Sequence, residues 1–143
     1  MITIKENTLE DAVIISKQIA EFDIPYTIDE YQKRLQGNHL ILTAYVDDLP
    51  EGFKIGYQRN GDGSFYSWMG GVLGKHRNQG IAGELANYQE NWAKNNGYTS
   101  IRLKTRKKHE AMKAFSLKRG FIITEEIAKI PEEETRIWME KQL

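Results

Sequence analysis

Apolar and polar positions along this chain follow two periods, and the switches between them mark its elements. Ile2 and Ile4 alternate with polar neighbours as a short strand does, and Thr8-Leu9-Glu10-Asp11 then offers a capping signal for a helix running to about Phe22. Thr27-Ile28-Asp29-Glu30 has the form of a capping box, with Ile28, Tyr31 and Leu35 sharing one face and Gly37 placed to stop this second helix. Leu40 to Val46 is apolar and β-branched. After the connection Asp47-Asp48-Leu49-Pro50-Glu51-Gly52, strand-like alternation resumes from Phe53 to Arg59, and Asn60-Gly61-Asp62-Gly63 turns the chain into Ser64 to Leu73. Three strands joined in succession by turn sequences predict an antiparallel meander.

From Ile81 the period changes to 3.6, with Ile81, Leu85, Tyr88 and Trp92 on one face and Asn96-Gly97 ending the run. Tyr98 to Thr105 follows as a buried strand, and a helix opening near His109 carries Met112 and Phe115 inward and closes at Gly120. Phe121 to Ile123 and Thr135 to Lys141 form a last strand pair around a polar loop. Helices thus interrupt a mostly antiparallel set of strands, which predicts an α+β fold with one mixed sheet.

Composition narrows the classes. The 143 residues make one domain, 1–143, large enough to hold a core without staples. No apolar run reaches the length of a bilayer span, and the N-terminus has no basic region followed by an apolar stretch, so neither membrane insertion nor secretion is expected. Cysteine is absent, which removes disulfides and Cys-ligated zinc, fits a cytoplasmic location, and leaves no metal site expected. Lys+Arg and Asp+Glu both number 20, so no net positive charge draws a nucleic acid, although Lys104 to His109 is locally basic and Glu132-Glu133-Glu134 locally acidic. Symmetry statistics favour a homodimer among oligomers.

The candidate chemistry lies between the third meander strand and the long helix. Val72-Leu73-Gly74-Lys75-His76-Arg77-Asn78-Gln79-Gly80-Ile81-Ala82 joins an apolar strand to a helix N-terminus through a Gly-containing turn. The first N–H groups of a helix lack intrahelical partners and the helix dipole adds positive potential there, so a phosphate is stabilised at such a place. Arg77 adds a charge-assisted contact, and Gly80 lets the backbone approach the ligand. A Walker A loop is excluded because Met69 stands where its first Gly belongs and His76 where its hydroxyl residue does. Gly61-Asp62-Gly63 fails the dinucleotide fingerprint, with Tyr66 at the third Gly, and reads as a hairpin turn.

Val-x-x-x-x-Arg-x-x-Gly-x-Ala, from Val72 to Ala82, resembles the acyl-CoA-binding motif of the GNAT (Gcn5-related) N-acetyltransferase superfamily. The element order and the later Lys118-Arg119-Gly120-Phe121 agree with it. The resemblance implies a single-domain GNAT-like fold, acetyl-CoA as co-substrate and an amine acceptor of a small molecule or protein. It implies that Arg77, Asn78, Gln79, Gly80, Ile81 and Ala82 take the diphosphate. Backbone groups near Val72 and Leu73 would pair with the pantetheine arm where the strands splay.

The chain departs from the common family pattern. The position of the usual general-acid Tyr holds Ser116, and that of an Asn before the helix holds His109, as in a bacterial subgroup lacking that Tyr. Tyr66, Ser116 and His109 are the candidates for proton transfer, with Ser116 the poorer acid on pKa grounds and His109 titrating near neutrality. Asp23 and Tyr26, in the connection where the family often builds its acceptor site, and Trp68 are candidates for substrate contact. Because of Ser116, a catalytically impaired acyl-CoA-binding module of the same fold is the alternative.

Overall fold

The computed structural model describes residues 1–19, 26–74 and 80–143. Its elements run β1 (Ile2–Glu6), α1 (Leu9–Ser16), α2 (Ile28–Arg34), β2 (His39–Val46), β3 (Leu49–Tyr57), β4 (Ser64–Val72), α3 (Ile81–Asn95), β5 (Ser100–Arg106), α4 (Glu110–Lys118), β6 (Ile122–Ile127) and β7 (Arg136–Gln142). The strands form one sheet in the order β1-β2-β3-β4-β5-β7-β6, antiparallel at every neighbouring pair except β4 and β5, which are parallel. The α+β fold with a mixed, mostly antiparallel sheet is as expected.

Alternation along the strands divides the core in two. Leu40, Leu42, Phe65, Val72, Leu103 and Met139 pack against Ile81, Leu85 and Ala93 of α3 on one face. On the other, Ile41, Phe53 and Ile55 pack against Ala12, Val13 and Ile15 of α1 and Tyr31 of α2. α4 lies on the α3 side, where Arg119 just beyond it donates to Asn87 at 2.7 Å and Glu90 at 2.9 Å.

The Thr27 capping box forms: the Thr27 side chain accepts from Glu30 N–H while the Glu30 side chain accepts from Thr27 N–H at 3.2 Å. Other local expectations shift. α1 ends at Ser16, well before Phe22, which lies outside the described residues, and Thr8 Oγ1 donates to Thr43 Oγ1 at 2.6 Å instead of capping the helix. α2 stops at Arg34, before Gly37 is reached. The long connection expected from Asp47 to Gly52 is a two-residue turn. Asp47 and Asp48 take positive φ of 50° and 70°, the geometry that matches the twist of a tight hairpin, and the strand resumes at Leu49. Pro50 is tolerated inside β3 because the register with β2 shifts beside it, between Ala44 and Tyr45.

The basic and acidic runs find each other. Lys107 pairs with Glu132, while Lys108 and Arg106 pair with Glu134 at 2.9 and 3.1 Å, closing the β7 approach onto the end of β5. These exposed pairs hold the Glu134 carboxyl below its ordinary range, through hydrogen bonds from Lys108 and then Arg106. Among the described residues no helix is long and apolar enough to cross a membrane.

Candidate active site

The site is built by a fork in the sheet. β4 and β5 pair only from Ser64 opposite Ser100 to Ser67 opposite Leu103. Beyond that point β4 continues to Val72 alongside β3, and β5 continues to Arg106 alongside β7. The cause lies in β4, where Ile55 faces Met69 and Gly56 faces Ser67, leaving Trp68 as an extra, bulged residue. A bulge bends its strand and increases the local twist, which turns β4 away from β5. Gly56 makes the bend fit: a Cβ there would meet the Phe65 ring at 2.4 Å and the Tyr66 carbonyl at 2.7 Å.

Backbone groups line the open side of the fork. Leu73 N–H donates to the Glu51 carbonyl at 2.9 Å, so Leu73 turns its N–H toward β3. In an antiparallel ladder the residues between hydrogen-bonded pairs aim their polar groups the other way, which sends those of Gly70 and Val72 toward the fork. Of the two expected contacts for an extended arm, Val72 lies on the fork side of the strand, and the Leu73 N–H is engaged by the Glu51 carbonyl.

The segment after β4 leads to α3. Gly80 caps α3 in the left-handed region, φ 83° and ψ 0°, and among the described residues no side chain caps the helix. A Cβ at Gly80 or at Gly83 would meet nothing within 4 Å, so a ligand can come up to the backbone there. Ile81 is 1% exposed and roots the first turn in the core against Val72 and the bare backbone of Gly52; its N–H, not its side chain, is what it can offer. Ala82 is exposed. Arg77, Asn78 and Gln79 lie outside the described residues, as does Asp23.

On the α1/α2 face the fork opens onto a continuous aromatic floor. Tyr26 and Tyr31 each lie 5.2 Å from Trp68, Trp68 lies 5.8 Å from Tyr57, Tyr57 5.5 Å from Tyr66, and Tyr66 5.8 Å from Trp138 of β7. Three candidate residues, Tyr66, Trp68 and Tyr26, are thus brought together. The Tyr66 ring is buried; burial pushes its phenol up, and Arg59 acts against that shift. Tyr66 therefore holds its proton at neutral pH.

Ser116 and His109 are not part of this group. Ser116 is buried on the opposite face of the sheet, where its Oγ donates to Met112 Sδ at 3.8 Å. It lines a small pocket behind the fork with Lys54, Ser67, Leu103 and Phe121. In that pocket the Lys54 ammonium is pushed down to about 8 by burial and by Arg119, with Glu90 acting against them. His109 opens α4 on the surface side, its N–H donating to the Arg106 carbonyl at 2.9 Å.

Three cations beside this floor were not among the candidates expected from the sequence. Arg34 lies 4.9 Å from the Trp68 ring, Arg59 4.9 Å from Tyr66 and 5.4 Å from Trp138, and Lys104 5.3 Å from Trp138. They come from α2, the connection after β3, and β5, far apart in sequence, and only the alternation of β5, which points Lys104 away from the apolar positions Ile101 and Leu103, foreshadows any of it.

Known structures share this architecture. The chain is similar to the ribosomal-protein-S18-alanine N-acetyltransferase from Escherichia coli, with 17% identity, 99% of this chain and 94% of that one covered, and a TM-score of 0.84. It is similar to Ard1 from Thermoplasma volcanium at 17% identity over 99% and 97% of the two chains, also with a TM-score of 0.84. An aminoglycoside 6'-N-acetyltransferase complexed with coenzyme A matches at 17% identity over 98% and 96%, with a TM-score of 0.81. No curated protein matches the chain by sequence. At such identities the likeness establishes the fold, and the family follows from the sequence model: that of the acetyltransferase (GNAT) family matches residues 8–121, so this chain belongs to the GNAT acetyltransferases.

Proposed function

We propose that the protein is an acetyl-CoA-dependent N-acetyltransferase that acts on a primary amine by direct attack. The observation that carries this reading is the fork after Ser67 and Leu103, together with an α3 N-terminus that no side chain of the described residues caps. A donor site here is supported by Gly80, which leaves the backbone bare, and by Gly70, whose strand groups face the gap. Arg77, Asn78, Gln79, Gly80, Ile81 and Ala82 are assigned to the diphosphate, with Arg77 as the side-chain contact and Ile81 through its N–H.

In this reaction the amine nitrogen forms a bond to the thioester carbonyl carbon, the carbon–sulfur bond breaks, the nitrogen loses a proton and the sulfur gains one. Tyr66 stays protonated and lies on the same floor as Trp68, which makes it the hydroxyl assigned to proton delivery. Ser116 and His109 are left without that role, Ser116 because its hydroxyl is spent on Met112 across the sheet. Tyr26 and Trp68 are assigned to the acceptor, and Asp23 belongs with them by its place in the chain.

The test is a panel of primary amines incubated with acetyl-CoA, with release of free thiol and the mass of the acetylated amine as readouts. Turnover on any amine supports the enzyme reading. Binding of acetyl-CoA with no turnover across the panel supports the alternative of a binding module, the reading that the buried Ser116 motivates.

A further inference from the structure

The acceptor side of the fork carries three cations that pair with no carboxylate among the described residues. Arg34, Arg59 and Lys104 stand over the aromatic floor formed by Trp68, Tyr66 and Trp138. Among the described residues none of the three has a carboxylate within ion-pair distance, whereas Arg102 beside them is held by Asp62 and by Glu140, each at 3.4 Å. Burial lowers the Lys104 ammonium first, and the charges of the described residues that act on it, from Arg59, Arg136, Arg34 and Lys129, are of its own sign and lower it further. Cations gathered over aromatic rings with no counter-ion among the described residues repel one another, and an anion placed among them removes that repulsion.

The location matters as much as the charge. Trp68 is the bulged residue that follows Ser67 on β4, and Lys104 follows Leu103 on β5, so the two flank the mouth of the fork. An open groove of about 620 Å³ shares Arg59 and Trp138 with this wall and is lined further by Asn60, Arg102, Thr124 and Glu125. Glu125 is the carboxylate on this wall; it sits opposite Trp138 in the β6–β7 ladder and is exposed.

We infer that the acceptor is a small primary amine that carries an acidic group, a carboxylate or a phosphate, held by Arg59, Lys104 and Arg34 while its amine points into the fork. This rests on the acetyl-transfer reading above. The cationic wall disfavours polycationic acceptors, because a second ammonium would have to enter a field of its own sign.

The test compares matched amines: ethanolamine against O-phosphoethanolamine, β-alaninamide against β-alanine, and 1,3-diaminopropane as the dication. Each is titrated into the protein saturated with CoA, with fluorescence of Trp68 and Trp138 as readout, and each is assayed for acetylation with acetyl-CoA. The expected result is at least a tenfold preference in binding for an acid-bearing amine over its neutral partner, with the phosphate and carboxylate arms showing which acid is read. Arg59→Gln and Lys104→Gln should each reduce that preference at least fivefold, and unchanged CoA affinity in the variants reports that they fold. Equal or weaker binding of both acid-bearing amines overturns the proposal, as does preference for the dication. Failure to bind CoA overturns the acetyl-transfer reading instead, so the two are told apart.

Discussion

Ser67 and Leu103 face each other as the last paired residues of β4 and β5, and the chain's proposed chemistry begins where they part. On one side of this point a strand edge leads to the α3 N-terminus at Gly80; on the other an aromatic floor is overhung by cations. The fork depends on one extra residue, Trp68, and on one missing side chain, at Gly56.

Gly56→Ala should therefore be costly. The added methyl would sit inside contact distance of the Phe65 ring and the Tyr66 carbonyl, one of which is backbone and cannot yield without moving the bulge. A loss of about 2 kcal/mol is expected in denaturant unfolding, of the size seen for overpacked cores. Gly70→Ala, whose Cβ would meet nothing closer than 3.4 Å, should stay within about 0.5 kcal/mol of the parent.

Lys54 gives the protein a pH signature. Its ordinary value of 10.5 is lowered to about 8 by burial and then by Arg119, so the unfolded chain holds a proton that the folded chain releases over that interval. Stability should rise with pH between about 8 and 10.5 and be depressed by this group below 8. Lys54→Met should stabilise the protein at neutral pH by about 1–2 kcal/mol and flatten the alkaline rise, both read from urea midpoints across pH.

Ser116 and Tyr66 are predicted to behave oppositely. Ser116→Ala removes only a hydroxyl engaged with Met112, and acetylation should change by less than about threefold. Tyr66→Phe keeps the ring between Tyr57 and Trp138 and removes the proposed proton donor, so kcat should fall about tenfold or more while KM for acetyl-CoA stays put.

Much of the architecture was legible in the sequence because each signal was local. The Thr27–Glu30 capping box and the turn at Asn60–Gly63 depend on neighbours within a few residues; in that turn Asp62 accepts from Ser64 N–H at 3.0 Å and Gly61 and Gly63 take positive φ. The Asp47–Asp48 turn was hidden because Pro50 and Gly52 carry turn chemistry of their own, although here they serve an irregular strand. The bulge at Trp68 was hidden too, since an extra residue in an apolar run leaves the run apolar. Least legible was the cationic wall. Lys104 reads as part of a basic run with Lys107 and Lys108, yet β5 alternation sends it to Trp138 while the other two pair with Glu132 and Glu134.

The α3 N-terminus supplies a further variant pair. Gly80→Ala must hold φ near 83° with a Cβ, a strain of about 1 kcal/mol that should appear in unfolding as well as in ligand affinity. Arg77→Ala, by contrast, should leave stability unchanged and weaken acetyl-CoA binding about tenfold, as measured by calorimetry.

The central claim, that the fork and the α3 N-terminus form a donor site, is tested most directly by calorimetric titration of the purified protein with acetyl-CoA and CoA, using ATP and NAD as controls. The account predicts saturable acetyl-CoA binding that CoA competes and that ATP and NAD do not match. No acetyl-CoA binding at millimolar ligand, or equal binding of all four, would contradict it.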